Sequence, residues 1–320
     1  MIYKATVIDI TNGKTIRVRI DEGPVKDKVI AIDVSAIHAL RQIDTNKGDA
    51  VMVSYSRDYK GIESAYIADF YRIDALFTLS ILFILVVAWI GRTRGIMSLL
   101  GMVISFFILT KGLLPSILQG NDPVLVMLLG SLLIIPITFY ISHGINKKTT
   151  IAVVSTFLTL VITAALSYAF VVLAKLTGFN AEESVFLQAQ GFDVNMRSIL
   201  LAGIILGAMG VLDDITISQV SIVETLRKSN QSLSKWQLYK YAMNVGRDHI
   251  ASLVNTLFLV YAGAALPLFL LFYGNGLRNE LVMNQEVVAT EIVRTLVSSI
   301  GIILAVPLAS YIAAHHFHKD

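Results

Sequence analysis

The sequence predicts an α-helical polytopic membrane protein with about seven transmembrane helices and a small N-terminal β-barrel-like domain. Three observations predict it. Of the 320 residues, 55% are hydrophobic and only 15% charged, against about 25% charged in an ordinary soluble domain; mean hydropathy is +0.69. Residues 1–70 alternate apolar and polar side chains with the period of strands. From residue 73 onward, apolar runs recur at lengths suited to a bilayer.

The β segment comes first. Residues 5–10 and 15–20 alternate around Thr11-Asn12-Gly13-Lys14, and Asn-Gly is a strong hairpin signal. Further strands are predicted at 28–34, 50–55 and 65–71, separated by Gly23-Pro24, Lys47-Gly48-Asp49 and Lys60-Gly61. Five short strands in this length suit a small OB-like or SH3-like barrel, which gives a domain over 1–70 and a helical bundle over 71–320. Met1 leads straight into the first strand, with no charged start ahead of a short apolar core, so no signal peptide is read.

Transmembrane helices are predicted at 73–90, 96–114, 124–141, 151–173, 199–223, 250–272 and 292–314, each long enough to cross ~30 Å of hydrocarbon. Lysine and arginine in short loops set orientation. They concentrate after the first, third and fifth helices: Arg92 and Arg94; Lys147 and Lys148; Arg227, Lys228, Lys235, Lys240 and Arg247. The other loops are poorer in positive charge and hold Glu182, Glu183, Asp193, Glu280 and Glu286. The first group is therefore expected in the cytoplasm together with the C-terminus, and the β domain outside, in a cell membrane. Carrying that domain across requires N-tail translocation or an upstream helix or signal; the second is preferred. Otherwise the first helix does not span and the domain is cytoplasmic.

Several function classes fall away. The chain has no cysteine, which excludes disulfides, thiol catalysis and cysteine-ligated metals. A formal charge of +3 is too small to imply nucleic acid. Neither G-x-x-x-x-G-K-[ST] nor G-x-G-x-x-G occurs, so an ATP-driven pump would need a separate subunit. No cofactor or metal site is expected: His315, His316 and His318 read as decoration of a helix end.

The polar residues inside the apolar runs carry the functional reading. Gly203, Gly207, Gly210, Asp214, Ser218 and Ser221 follow one another at steps of four, three, four, four and three, one face of the fifth helix. Small residues on such a face let another helix approach, which is reason enough for the glycines. Carboxylates differ, because a charge in hydrocarbon is costly and normally faces a bundle interior or a solvated pathway. Asp214 lies on the small-residue face and Asp213 about 100° round from it. The alternative is a helix break near Leu212, with the pair capping the next segment in interfacial water.

On the sixth helix Asn244, Asp248, Ser252 and Asn255 also share a face, with Arg247 beside them. Register places Asp214 and Asn255 each about 12 Å inside the same boundary, so the two stripes are expected to meet. Interhelical hydrogen bonding that only holds the bundle together remains open for Ser252 and Asn255, and a topology anchor for Arg247. Residues 232–243 read as an interfacial amphipathic helix with Leu233, Trp236, Tyr239 and Met243 on one side, or as a partner-docking helix. Pro267 and Pro307 are expected to kink their helices. Glu291 and Arg294 are expected near the outer surface, snorkelling or paired.

Three stretches carry a resemblance. Gly207-Ala208-Met209-Gly210-Val211-Leu212-Asp213-Asp214-Ile215-Thr216-Ile217-Ser218 is the first. The second is Ala242-Met243-Asn244-Val245-Gly246-Arg247-Asp248-His249, continuing to Asn255-Thr256-Leu257, Tyr261 and Leu266-Pro267-Leu268. The third is Glu291-Ile292-Val293-Arg294-Thr295-Leu296 with Ser299-Ile300-Gly301 and Ala305-Val306-Pro307-Leu308. Together they resemble the YibE/F family of multi-pass membrane proteins. Tyr71-Arg72 and Lys111-Gly112-Leu113-Leu114-Pro115 also fit.

The resemblance covers nearly the whole chain, densely in the last 120 residues and loosely in the β domain. It places the family's single helix-five aspartate on Asp214 and often has an apolar segment ahead of the β domain. His249 and Ala251 depart from its commonest pattern, which implies that those side chains are not essential. It implies permease-like character and supplies no reaction.

The expected function is a non-enzymatic, permease-like transporter or channel component. Its site of Asp213, Asp214, Asn244, Arg247, Asp248, Ser252 and Asn255 takes an ion or small polar solute. The alternative is a non-catalytic scaffold or accessory subunit whose β domain binds a protein partner. An intramembrane aspartyl protease would need two carboxylates sharing a proton, as Asp214 and Asp248 could, but Gly207-x-x-Gly210-x-x-x-Asp214 is not the Gly-x-Gly-Asp spacing of that class. The lipid bilayer is the expected partner, nucleic acid is not, and oligomeric state is left open.

Overall fold

The computed structural model describes residues 1–11, 15–33, 45–57, 63–180, 182–274 and 278–318. It divides into two compact units, Met1–Ile90 and Gly91–Asp320.

In the first unit, strands β1 (Ile2–Thr11), β2 (Thr15–Ile20), β3 (Val29–Asp33), β4 (Ala50–Arg57) and β5 (Glu63–Phe70) form one antiparallel sheet in the order β3-β2-β1-β4-β5. The sheet curls into a half-barrel. Alternation causes this: Ala5, Val7, Ile16, Val18, Ile20, Ile32, Val51, Val53 and Ile67 all point inward and are buried in one cluster, roughly 1.5–3 kcal/mol for each larger side chain. The register slips between Val7 and Asp9 and between Met52 and Val53, and such bulges sharpen sheet curvature.

Across the open edge, Lys28 Nζ donates to both oxygens of Glu63 at 2.5 and 2.6 Å and to Tyr55 Oη at 3.1 Å. The Asn12-Gly13 and Lys60-Gly61 turns lie outside the described residues.

Helix α1 (Ile73–Ile108) follows, pinned to the sheet by a 3.0 Å ion pair between Lys4 and Asp74. Its backbone is non-helical at Arg92, where φ is 50° and ψ −138°. A π-turn over Leu109–Leu113 leads to α2 (Leu114–Leu118), then α3 (Pro123–His143), α4 (Lys147–Leu173), α5 (Glu182–Ala189), α6 (Met196–Ser229), α7 (Lys235–Ala264), α8 (Leu266–Gly274), α9 (Asn279–Met283) and α10 (Glu286–Phe317). Among the described residues, five helical stretches are long and apolar enough to cross a membrane: 73–118, α3, α4, α6 and α10. The bent pair α7 and α8, turned by 67° at Ala265 beside Pro267, makes a sixth.

Length and composition give five or six spans rather than seven, because 73–118 counts as one stretch although its backbone leaves helical geometry at Arg92, where Arg92 and Arg94 divide the sequence. Pro307 lies inside a continuous α10, and residues 235–243 are the first turns of α7 rather than a separate interfacial helix.

Helices α4, α6 and α10 form the centre of the second unit, flanked by α3 on the α4–α6 side and α7 on the α10–α6 side. Their seams are small and hydroxylic. A Cβ on Gly301 would collide with the Thr163 side chain. Ser155, Thr159, Thr163 and Ser167 on α4 and Ser310 on α10 are fully buried, and each donates its hydroxyl to the carbonyl four residues earlier on its own helix. One hydroxyl pair joins α4 to α6, Thr156 Oγ1 to Thr216 Oγ1 at 2.6 Å.

At the other end Glu286 accepts from the amides of Thr177 and Gly178 at 2.6 and 2.9 Å. Gly178 is required there: φ is +88° and a side chain would strike the Met196 carbonyl.

Candidate functional site

Helix α6 is continuous from Met196 to Ser229, capped by the Asn195 side chain on Ser198 N, so no break occurs at Leu212. Asp213 and Asp214 sit at its midpoint. Leu212, Ile215 and Thr216 are buried against the bundle, which turns the two aspartates the other way. They line a half-open cavity of about 500 Å³ walled by three segments.

From α6 come Met209, Gly210, Asp213, Asp214 and Ile217; from α3, Ile134, Thr138, Phe139, Ser142 and His143; from the part of α1 beyond Arg92, Arg94, Ser98, Met102 and Ser105. The lining thus joins two carboxylates, one guanidinium, one imidazole and four hydroxyls on an apolar floor. Gly101 in the middle of the α1 segment lets Thr138 of α3 approach within ordinary contact.

Depth follows from a nearby ion pair. Lys148, in the first turn of α4, lies 3.9 Å from Glu224, which stands ten residues, or about 15 Å, along α6 from Asp214. The cavity therefore reaches from the end of α3 at His143 inward to a level that a bilayer would surround. Asp213 Oδ1 is sealed from solvent and has no hydrogen-bond partner among the described residues. Asp214 is exposed to the cavity. An uncompensated carboxylate oxygen is costly in such surroundings, and hydroxyl-rich walls of this kind suit a hard cation or a hydrogen-bonding solute.

The α7 residues lie elsewhere. Gly246 is buried where α6, α7 and α10 cross: a Cβ there would sit 2.5 Å from Gln219 Nε2 and 2.5 Å from Val306 Cγ1. Gln219 Nε2 donates to the Ala242 carbonyl at 2.9 Å. At about 100° per residue, Asn255 is diametrically opposite Gly246, and Asn244, Asp248 and Ser252 flank that opposite line. All four are exposed, as is Arg247, which donates to Asn244 Oδ1 at 3.3 Å. The structure brings together Asp213 and Asp214, but does not bring them to Asn244, Arg247, Asp248, Ser252 or Asn255. Register gave only an expected common depth for the two stripes and carried no information on the rotation of α7.

Arg94, His143 and the four hydroxyls were missed as site residues, although a signal existed. Arg94, Ser98, Met102 and Ser105 recur at four, four and three residues, the spacing that marked the α6 stripe. Elsewhere, Glu291 pairs with Arg294 at 2.8 Å within α10. His315 Nδ1 meets Lys235 Nζ at 3.0 Å, and His316 Nδ1 lies 2.9 Å from the Ile312 carbonyl.

The profile of the YibE/F-like proteins matches residues 79–319. The chain belongs to the YibE/F-like family. The match takes in every wall of the cavity and leaves out the β sheet. Together with five or six helices of membrane-crossing length, the YibE/F-like assignment points to a membrane protein. No curated protein and no solved structure matches the chain at a significant level.

Proposed function

We propose that this YibE/F-like chain is a permease-like membrane protein that takes a proton, a small cation or a small polar solute into the cavity between α3, α6 and residues 93–108. The observation that carries the reading is the pair Asp213–Asp214, set at the midpoint of a continuous membrane-length helix and opening onto that cavity. One carboxylate oxygen, Asp213 Oδ1, has no donor among the described residues, and a proton or small cation is the chemistry that complements it. Arg94 offsets part of the negative charge, and Ser98, Ser105, Thr138 and Ser142 offer oxygens to a partly dehydrated guest.

In this reading Arg92 divides α1 into two spans, α7 and α8 make one broken span, and seven crossings result. The β domain lies outside, and Arg92 and Arg94, Lys147 and Lys148, and Arg227, Lys228 and Lys235 lie on the cytoplasmic side, whereas Arg247 falls within α7. Asn244, Arg247, Asp248, Ser252 and Asn255 have no part in the cavity.

Proteoliposomes carrying the full chain, a pH-sensitive dye inside and an imposed Na⁺, K⁺ or proton gradient test it. Protein-dependent flux that Asp214→Asn lowers at least tenfold, with an unchanged elution profile, supports the assignment. Equal flux in the variant would remove Asp214 from any pathway.

A further inference from the structure

The uncovered face of α7 is chemically unlike the rest of the helical exterior. Asn244, Arg247, Asp248, Ser252 and Asn255 stand together on it, flanked by exposed Val245, Phe258 and Leu259. Asp248, Ser252 and Asn255 make no side-chain hydrogen bond or ion pair among the described residues.

Their depth is set by α10, which runs antiparallel beside α7. Lys235 at the start of α7 meets Tyr311 and His315 near the end of α10, at 3.3 and 3.0 Å, and Tyr239 packs edge-on to Tyr311. Gly246 is level with Val306, inside the apolar run of α10. Asp248 is thirteen residues, about 20 Å, beyond Lys235. A guanidinium, a carboxylate and two amides at that depth do not face lipid; they face protein or water.

Among the described residues neither Arg247 nor Asp248 makes an ion pair, and Arg247 bonds only Asn244 of its own helix. The face can neutralise itself. Arg247 and Asp248 are successive residues, about 1.5 Å apart in height, and a two-fold axis along the membrane normal sets equal heights opposite one another. Asn and Ser side chains at such crossings also hydrogen-bond from helix to helix.

We propose that two copies of this chain associate in the membrane through this face of α7. Arg247 of each copy opposes Asp248 of the partner subunit, and Asn244, Ser252 and Asn255 form a hydrogen-bonded strip along the axis. The interface stands independently of the cavity reading.

The absence of cysteine makes the test direct. In native membranes, Ser252→Cys and Asn255→Cys, introduced singly and oxidised, are expected to yield a disulfide-linked species of twice the chain mass. Leu158→Cys, on the exposed side of α4, is expected to remain monomeric. Arg247→Asp and Asp248→Arg should each lower the cross-linked yield of Ser252→Cys at least tenfold, and the two together should restore it.

Photobleaching of single labelled chains in lipid vesicles should give two steps for the wild type. One-step bleaching with no cross-link at residues 252 and 255 overturns the proposal. So does a cross-linked species of any other mass, or a dimer indifferent to both charge reversals. The cysteine substitutions alter no charge, so they keep the question answerable if a charge-reversed variant fails to fold.

Discussion

On α6, Gly210, Asp213 and Asp214 look across a cavity at Arg94, His143 and a set of hydroxyls. On α7, a stripe of the same helical period, with its own aspartate and two asparagines, looks away from every helix packed against it. Composition does not separate the two; what stands opposite does. The turn of α6 that buries Leu212 and Thr216 leaves its carboxylates under the roof of α3 and the second part of α1. The turn of α7 that buries Ala242 and Gly246 leaves its polar edge on the perimeter. A polar stripe in an apolar helix therefore states that something polar must face it, and only packing decides whether that is a cavity of the same chain.

The largest effect that would sharpen this contrast is on transport. Asp213→Asn and Asp214→Asn should each lower flux in proteoliposomes tenfold or more, about 1.4 kcal/mol or above in the rate-limiting step. Asp248→Asn should leave the per-dimer rate within about twofold. Comparable losses at all three positions would erase the distinction.

Next comes stability. Gly246→Val puts a side chain 2.5 Å from Gln219 and Val306, and overpacking of that kind costs about 1–3 kcal/mol. Gly203→Ala, on the open side of α6 with nothing within 4 Å, should instead stabilise by up to ~1 kcal/mol through helix propensity. Unfolding free energies in detergent micelles check both signs.

A similar loss of about 1 kcal/mol is expected for Thr216→Val, which leaves buried Thr156 without its cross-helix partner; Thr156→Val in the same chain should recover part of it.

The smallest effect belongs to the β unit. Hydrogen bonding to Lys28, then to Tyr55, lowers the Glu63 carboxyl from its ordinary value, and bonding to Glu63, then Tyr55, raises the Lys28 ammonium. The Glu63 contribution is present above the unfolded carboxylate value and is lost as pH falls through the lowered folded one. That of Lys28 is present below the unfolded ammonium value and is lost as pH rises through the raised folded one. Stability should thus be flat between those limits. Glu63→Gln should flatten the acid limb slightly in a thermal melt, salt reducing the difference.

Strand positions were legible because alternation and inward burial are the same fact in a one-layer sheet: Val7, Val18 and Val53 could be read inward from the sequence alone. The places of the long helices were legible from the apolar runs, though not their lengths: α6 runs from Met196 to Ser229 where the apolar run spans 199–223, and α7 starts at Lys235 rather than 250. Two further features were not legible. One is that Arg92 alone leaves helical geometry between 73 and 108, where the sequence reads a loop over 91–95. The rotation of α7 depends on Gly246 and Ala242 fitting against Gln219 and Val306, a close approach that no periodicity encodes. For the site, Asp213 and Asp214 stood out because carboxylates in an apolar helix are rare. Arg94 and His143 did not, because at helix ends such residues are ordinary.

Five buried hydroxyls of α4 and α10 are satisfied on their own backbones, whereas Thr290 and Ser298 of α10 have no partner among the described residues. Ser155, Thr159, Thr163, Ser167 and Ser310 send nothing across the seam, so displacement of one helix along the other breaks no hydrogen bond of theirs. Between α4 and α6, by contrast, Thr156 and Thr216 are latched. The two contacts thus differ in what joins them: a hydroxyl pair adds to packing between α4 and α6, whereas between α4 and α10 these residues contribute packing alone, with Thr163 seated against Gly301.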